Sequence, residues 1–528
     1  MITPARSALR RGFDRIERGL DSVFGWDWNP LAHLGALGWF LFWIVAVTGA
    51  YLFIFFDTGV TAAYASVAWL STDHWWHAGI ARSLHRYASD LMVLVMFTHL
   101  TREWAMDRYR GRRWFSWVTG VPVIWFVYLS GITGYWLVWD TLAQYVALTT
   151  SELLDALGIF AEPIARNFLS PQTLSSRFFT LMVFLHIAIP LLLLLLMWVH
   201  IQRITEARTQ PPLGLAAITL GALTVGAFLM PAPLGDAADL NVVPARVGID
   251  WLILPLYPVI ESVPAGAMWA GVVIFTVVLA GTPWLPPRRE GSAAAVFLDH
   301  CNGCARCVDD CPYAAITLVP RSDGAPFSHE VKVNAARCVA CGICMGACPS
   351  STPFRRSGDL TTGIDLPDRS LAALRAEVIV AAARLGGRGR VLTLACAHCA
   401  AADPAPGRVI LPCVAMAPPS LVDFIISRDL ADGVAVAGCA ERECLNRLGG
   451  RWTRLRFARS RDPYLRARVP RDRVLAVWTG PSESARLEAR LADFARYLAV
   501  LPPYALRRSL AEDEAAEADG VHRRSAAQ

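Results

Sequence analysis

Long apolar segments limit most strongly what this chain can fold into. Six of them lie between residues 30 and 285 of the 528, each near the roughly 20 residues that a helix needs to cross a bilayer. The 54% hydrophobic and 18% charged fractions depart from soluble proteins in the same direction. The sequence therefore predicts six membrane-spanning helices, at Leu34–Phe56, Leu84–Met106, Trp114–Val138, Phe178–Ile201, Leu213–Met230 and Ala265–Leu285.

Basic residues follow alternate segments and predict the orientation. The opposite loops are richer in aspartate, and arginine-rich loops stay in the cytoplasm. We expect a multi-pass protein of the cytoplasmic (inner) membrane with both termini cytoplasmic, its Arg-rich first 30 residues forming an amphipathic segment rather than a signal peptide. The arginines are Arg102, Arg108, Arg110, Arg112 and Arg113 after the second segment, Arg203 and Arg208 after the fourth, and Arg288 and Arg289 after the sixth.

Four histidines lie within the second and fourth apolar segments. His85 and His99 are 14 residues apart, as are His186 and His200. Fourteen residues make nearly four helical turns, so each pair shares one helix face at a separation of roughly 21 Å. Intramembrane histidines are usually functional. Because both helices run from outside to inside, His85 should meet His186 near the outer face, and His99 should meet His200 near the cytoplasmic face.

Four glycines on the first and third segments repeat this interval. Gly35 and Gly49 are 14 residues apart, and so are Gly120 and Gly134. A residue without Cβ lets a backbone approach a flat macrocycle closely. Small residues also pack helices together in membranes, which is the alternative. The interval shared with the histidines favours two haem sites, each with two histidine ligands.

The stretches around Asn29–Tyr51, Arg82–Arg102 and Arg177–His200 resemble the cytochrome b of respiratory bc complexes. The resemblance implies two b haems, with Arg82 and Arg102 near the haem propionates. Arg102 has a second explanation, because it also fits the positive-inside rule.

The segment around Asp250 looks like a degenerate form of that family's Pro-Glu-Trp-Tyr loop, which lies beside the outer quinol site. Asp250 stands where the family carries Glu, and the preceding Pro is missing. The resemblance implies a quinone site formed by Asp250, Trp251 and Tyr257, with Asp140 near the end of the third helix. An interfacial turn is the alternative.

All thirteen cysteines follow residue 300, in short-spaced groups that indicate metal ligation rather than disulfides. Two Cys-x2-Cys-x2-Cys-x3-Cys-Pro runs resemble the bacterial two-cluster ferredoxin module. In such runs the fourth cysteine ligates the other cluster. One [4Fe–4S] cluster is therefore assigned to Cys301, Cys304, Cys307 and Cys348, and the other to Cys338, Cys341, Cys344 and Cys311. Zinc is disfavoured, since four-Cys zinc sites normally pair two knuckles.

The remaining five cysteines lie in a predicted α/β region. Cys396, Cys413 and Cys439 each follow a predicted strand, at Arg390–Ala395, Val409–Leu411 and Gly433–Ala437. In a parallel sheet those positions share one edge, and Cys399 and Cys444 lie nearby in sequence. Buried structural cysteines are the alternative. This region resembles the delta subunit of methyl-viologen-reducing hydrogenase, which implies a [2Fe–2S] cluster; which four of the five cysteines hold it is open.

The predicted fold is therefore multidomain. An all-α six-helix transmembrane cytochrome b-like bundle precedes a small α+β two-cluster ferredoxin domain and a small α/β domain with a parallel sheet. The predicted parts are an amphipathic segment (1–30), the dihaem domain (31–285), a linker (286–296), the ferredoxin domain (297–355), a connector (356–389), the delta-like domain (390–502) and a disordered tail (503–528).

The order of these parts predicts an electron-transfer subunit of an oxidoreductase complex. It would connect the quinone pool, through haems and clusters, with a cytoplasmic flavin-containing partner of heterodisulfide-reductase or hydrogenase type. The direction of flow and a homodimer are left open. A docking anchor with structural clusters and a bc-type quinol oxidase with a separate Rieske subunit are the alternatives. The net charge of +6 is not gathered into a stripe, so nucleic-acid binding is not expected.

Overall fold

The computed structural model divides into two compact units, Met1–Arg288 and Arg289–Gln528. Several predicted features lie outside the described residues: linker residues 286–290 with Arg288 and Arg289, connector residues 356–359, and nearly all of the tail. The described residues are 4–25, 27–168, 174–203, 207–242, 246–285, 291–354, 360–401, 403–441, 444–480, 483–502 and 504.

The first unit is helical. Its longest helices pair, α2 along α4 and α5 along α7, and apolar side chains such as Leu41, Val93 and Leu193 fill the space between them. The helices are α1 (Pro4–Phe24), α2 (Leu34–Phe53), α3 (Ala62–Thr72), α4 (Ile80–Ala105), α5 (Trp114–Val138), α6 (Thr141–Asp155), α7 (Ser176–Ile201), α8 (Leu213–Leu229), α9 (Tyr257–Ser262) and α10 (Ala265–Gly281).

Helices occur at all six predicted spans, but only four of the described helices are both long and apolar enough to cross a membrane. α8 is too short, with 17 residues. α4 has 26 residues, but its charged side chains, among them Arg82, Arg86 and Asp90, lower its hydropathy. The four candidates are Leu34–Phe53, Trp114–Val138, Ser176–Ile201 and Ala265–Trp284.

The N-terminal helix α1 packs against α4 through buried ion pairs. Glu17 lies 2.7 Å from Arg102, with side chains 4% and 5% exposed. Near its start, Arg6 lies 3.1 Å from Asp107, which follows α4. The opposite face of α1 is exposed, so the helix is amphipathic, as the sequence predicts for this segment.

The second unit contains all the strands of the described chain. They are β1 (Ala295–Val296), β2 (Ile316–Pro320), β3 (His329–Val333), β4 (Ile364–Asp365), β5 (Val391–Cys396), β6 (Arg408–Leu411), β7 (Gly433–Cys439) and β8 (Val474–Thr479). Its helices are α11 (Arg306–Asp309), α12 (Ile343–Ala347), α13 (Leu371–Ala383), α14 (Pro419–Ser427), α15 (Gly449–Phe457) and α16 (Ser484–Val500).

A four-stranded parallel sheet, in the order β6-β5-β7-β8, confirms the predicted α/β layer. Leu392 pairs with Val434 at the centre of this sheet, in strands buried along almost their whole length. β2 pairs antiparallel with β3 in the cysteine-rich segment. β1 pairs with β4, so described parts of the predicted linker and connector form a small sheet.

The ferredoxin-like segment and the parallel-sheet region share one hydrophobic core. Ile316, Val331 and Met345 from the first belong to the same buried cluster as Leu392 and Val436 from the second. The two regions predicted as separate domains therefore pack as a single compact unit.

Candidate metal centres

The first candidate site lies between α4 and α7, at the pair His85 and His186. Their ring centroids are 6.2 Å apart, with the ring planes inclined at 61°. A metal–imidazole bond is roughly 2 Å long. Two imidazoles on opposite sides of one ion would then have centroids about 6 Å apart. The spacing of this outer pair fits one iron held between the two rings.

Each of the four glycines lies against one of the four histidines. A Cβ at Gly49 would lie 2.9 Å from His85 Cε1, and a Cβ at Gly134 would lie 2.9 Å from His186 Cε1. At the inner pair, the corresponding distances are 3.2 Å from Gly120 to His200 and 3.9 Å from Gly35 to His99. The glycines of α2 and α5 thus leave room for the rings on α4 and α7.

Three threonines that the sequence interpretation missed contact the histidine rings. The hydroxyl oxygens of Thr48 and Thr133 lie 3.2 Å from Nδ1 of His85 and His186, respectively. Thr119 Oγ1 lies 3.3 Å from Nδ1 of His200. A partner on Nδ1 fixes the ring orientation and leaves Nε2 to face a metal. The signal was available, because each threonine directly precedes one of the spaced glycines.

The two predicted propionate arginines make protein contacts. Arg82 donates to the carbonyl oxygens of Ala232 and Pro233, at 2.8 and 2.9 Å. Arg102 pairs with Glu17 of α1. These bonds hold α4 to neighbouring segments, and a role at haem propionates stays a prediction.

In the second unit, the structure brings together the cysteines assigned to the first cluster. One small cavity is lined by sulfur-bearing side chains from both runs: Cys301, Cys304, Cys307 and Cys348. Cys304 is exposed, whereas Cys301 and Cys307 are buried. The fourth cysteine of the second run therefore lies beside the first three cysteines of the first run.

The cysteines assigned to the second cluster are also neighbours. Cys341 interacts electrostatically with Cys311 and Cys338, and burial raises the pKa of its thiol to about 12. Burial also raises the pKa of Cys344, whose neighbours include all three. A buried thiol with raised pKa stays protonated until a metal displaces the proton, so this group fits a site that iron must complete.

The five remaining cysteines converge at the carboxyl edge of the parallel sheet. Cys396 and Cys439, at the ends of the adjacent strands β5 and β7, have their sulfur atoms 3.3 Å apart. Cys399 Sγ lies 3.4 Å from the carbonyl oxygen of Ala437. Cys413 interacts electrostatically with Cys396 and Cys444. All five are buried, and burial raises the pKa of Cys399 to about 11.

The terminal cysteine group borders the second ferredoxin-type group. Cys413 packs with Ile343 of α12 and Trp452 of α15 in one apolar cluster, which Cys341 also contacts. Asp310, next to Cys311, is 2% exposed and pairs with the buried Arg456 of α15. Arg461 Nε donates to the same carboxylate at 2.8 Å. Apolar packing and a buried ion pair thus hold these two cysteine groups side by side.

Among the described residues, no three His, Cys, Asp or Glu side chains are arranged around a single-ion site. This agrees with the convergence of the thiols. The ligands of an iron–sulfur cluster bind different iron atoms, and so they stand farther apart than the ligands of one ion.

The four residues predicted for a quinone site have different surroundings. Asp250 accepts a hydrogen bond from Tyr135, whereas Trp251 is 69% exposed. Asp140 caps α6 by accepting from the Ala143 amide at 2.9 Å. The buried Tyr257 hydroxyl lies 2.6 Å from that of Thr150. The hydrogen bonds of Asp140 and Tyr257 are thus structural, and the exposed face of the candidate site is at Trp251.

Three family models match successive parts of the chain. Residues 28–208 match cytochrome b/b6/petB, and residues 300–352 match a 4Fe-4S dicluster domain. Residues 391–501 match the delta subunit of methyl-viologen-reducing hydrogenase. The chain joins these three known domains in that order. A solved structure titled "Hyperthermophilic respiratory Complex III" is 18% identical over 48% of this chain and 74% of its own, with a TM-score of 0.37.

The three domain matches confirm the resemblances predicted from the sequence. The cytochrome b/b6 domain implies haem b, and the dicluster domain implies 4Fe-4S clusters. With four membrane-crossing candidates among the described helices, the chain is a multi-pass membrane protein and an electron-transfer subunit.

Proposed function

We propose that this subunit carries electrons between the quinone pool and a cytoplasmic flavoprotein of heterodisulfide-reductase type. The observation that carries the proposal is the 6.2 Å separation of the His85 and His186 rings, because it matches two axial ligands of one iron. His85 and His186 would hold the outer b haem, and His99 and His200 the inner one. Bound haem would supply one-electron transfer across the membrane.

The two cysteine groups of the dicluster domain would each hold a [4Fe–4S] cluster, divided as the sequence assigns them. Four of the five terminal cysteines would hold a [2Fe–2S] cluster. The contact between Cys413 and the α12 region supports electron exchange between the second cubane site and the terminal site. Exposure of Cys304 supports an electron entry or exit point at the first cluster.

The quinone site is proposed around Asp250 and Trp251. An exposed indole beside a buried, hydrogen-bonded carboxylate gives a flat apolar surface and a proton acceptor, which are the two groups that a quinol needs. In this topology the site lies on the outer face of the inner membrane, and the cysteine-rich unit lies in the cytoplasm.

The test begins with cofactor stoichiometry. The purified full-length protein should contain two haems and about ten iron atoms in clusters per chain, and all of these cofactors should be reducible. Clusters that cannot be reduced would support the docking-anchor alternative instead.

Quinol-dependent haem reduction tests the quinone site. Asp250→Asn and Trp251→Ala should each slow haem reduction by quinol while leaving reduction by dithionite unchanged. Asp236→Asn, at an exposed carboxylate near α8, is the matched control. Unchanged quinol-dependent rates in both site variants would contradict the proposed site.

A further inference from the structure

A compact group of charged side chains lies beside the outer histidine pair. On α4, Arg86 Nε lies 3.2 Å from Asp90 Oδ2. The other end of the same guanidinium reaches Asp250, with Nη2 2.9 Å from Oδ2. Tyr135 of α5 donates to that same oxygen at 2.6 Å. One arginine thus links two carboxylates that come from different parts of the chain.

Both carboxylates are largely shielded from solvent. The side chains of Asp250 and Asp90 are 7% and 18% exposed, and that of Arg86 is 29% exposed. The Tyr135 ring covers the guanidinium, whose central carbon lies 4.8 Å from the ring centroid. The second oxygen of Asp250 accepts from the Leu252 amide at 2.8 Å. The group is built into the fold by several elements.

The neighbouring titratable groups do not balance its charge. Arg82, one turn before Arg86, interacts with Asp140 and donates to backbone carbonyls of residues 232 and 233. Tyr128 and Tyr87 donate to the carbonyl oxygens of Leu252 and Met230. Only Arg86 therefore faces Asp90 and Asp250 among the described basic residues. With both carboxylates ionised, the group carries one excess negative charge.

An unbalanced charge away from water is costly, and the least costly relief is to bind a proton. Two carboxylates that share one guanidinium behave as a pair that holds one proton between them. The pair also lies next to the proposed haem ligands along the chain. Arg86 directly follows His85, and Tyr135 directly follows Gly134, which lies against His186.

We propose that Asp90 and Asp250 form a redox-linked proton site. When the outer site gains an electron, Fe(III) becomes Fe(II), and the carboxylate pair takes up one proton from the outer aqueous side. Reoxidation releases that proton again. The electron comes from the inner haem, from quinol or from an added reductant. The proposal rests on the haem ligation proposed for His85 and His186, and it does not depend on quinone binding.

The test is a potentiometric titration of both haems at several pH values, on the full-length protein in lipid nanodiscs. The outer-haem midpoint potential should fall as pH rises, approaching the slope of one proton per electron. Asp90→Asn and Asp250→Asn should each abolish that slope, because the remaining carboxylate is balanced by Arg86. Asp90→Glu should keep it. The inner haem is an internal control, and Asp236→Asn should behave as the wild type.

Infrared difference spectra give a second measurement that needs no variant to fold. Reduction of the wild-type protein should produce a carboxylic acid C=O band that shifts on ¹³C-aspartate labelling. Absence of that band, or an outer-haem slope that both asparagine variants retain, would overturn the proton site while haem binding stands. Absence of an outer haem would overturn the proposed function itself.

Discussion

At the scale of single residues, the glycines beside the histidines act through the space that they leave. A Cβ at Gly134 would approach His186 Cε1 to 2.9 Å, closer than side chains normally pack. A larger side chain there must displace the ring. The same argument applies to Gly49 and His85, so haem occupancy at the outer site depends on positions that ligate nothing.

The variant Gly134→Val should therefore lose outer-haem binding. The valine would push the His186 ring out of line with His85, and the haem content should fall from two per chain towards one. The pyridine haemochrome assay measures this ratio. Gly226→Val in α8 is the matched control, because a Cβ there meets nothing within 4 Å. Equal haem content in the two variants would contradict the account.

Two adjacent glycines of α15 allow a similar test at the terminal cysteines. A Cβ at Gly449 would overlap the Cys413 sulfur, whereas a Cβ at Gly450 lies 3.5 Å from its nearest neighbour. Gly→Ala in a helix otherwise stabilises by about 0.5–1 kcal/mol. Gly449→Ala should lose about two iron atoms per chain and the matching EPR signal, and Gly450→Ala should lose neither. Retention of both in Gly449→Ala would show that Cys413 is not a ligand.

Single-residue prediction was good wherever a regular interval carried the signal. The 14-residue spacing located the histidines and glycines that the structure brings together. The same approach missed Arg86 and Asp90, because the carboxylate that completes their group, Asp250, is 160 residues further along the chain. Pairings that depend on tertiary contacts leave no periodic trace in a sequence.

At the scale of helices and strands, α4 is the element that combines most roles. It carries two of the four histidines, a proton-site carboxylate and the partner of α1. Its charged residues lower its hydropathy, so that α4 is absent from the membrane-crossing candidates although 26 residues could span a bilayer. Its charges are paired within the protein, through Arg86 with Asp90 and Arg102 with Glu17.

The attachment of α1 to α4 depends on the Glu17–Arg102 ion pair. Removal of one partner of a buried pair costs about 3–5 kcal/mol, because it leaves an unbalanced buried charge. Glu17→Ala should release α1, and thermolysin should then cleave at Leu9 or Ile16 more than about tenfold faster, since roughly 1.4 kcal/mol is a tenfold change in population. Arg15→Ala, at an exposed position, should cleave at the wild-type rate. Equal rates would show that other contacts hold the helix.

Element boundaries in the terminal region were predicted to within about two residues, since short β-rich runs alternate there with helical ones. β8 was expected at Arg473–Trp478 and spans Val474–Thr479. The packing of the ferredoxin-like segment onto this sheet was not predicted. The joint core depends on side chains from both regions, such as Met345 and Leu392, and local sequence patterns do not report such long-range contacts.

At the scale of the whole molecule, the domain order describes an electron path. The outer and inner histidine pairs lie in the membrane unit, and the three cysteine groups lie in the second unit, two of them in contact. No step of this path needs a catalytic centre other than the quinone site. The account therefore claims that the cofactors are connected, and not merely present.

Reoxidation of the fully reduced protein by quinone tests this claim most directly. Full-length protein in nanodiscs is reduced with dithionite, the excess is removed, and quinone is added while haems are followed optically and clusters by freeze-quench EPR. We predict that the haems are oxidised first and that the clusters follow through them, so that a His200→Ala variant leaves the clusters reduced. Haem oxidation with clusters that stay reduced in the wild type, or clusters oxidised equally fast without the inner haem, would contradict the account.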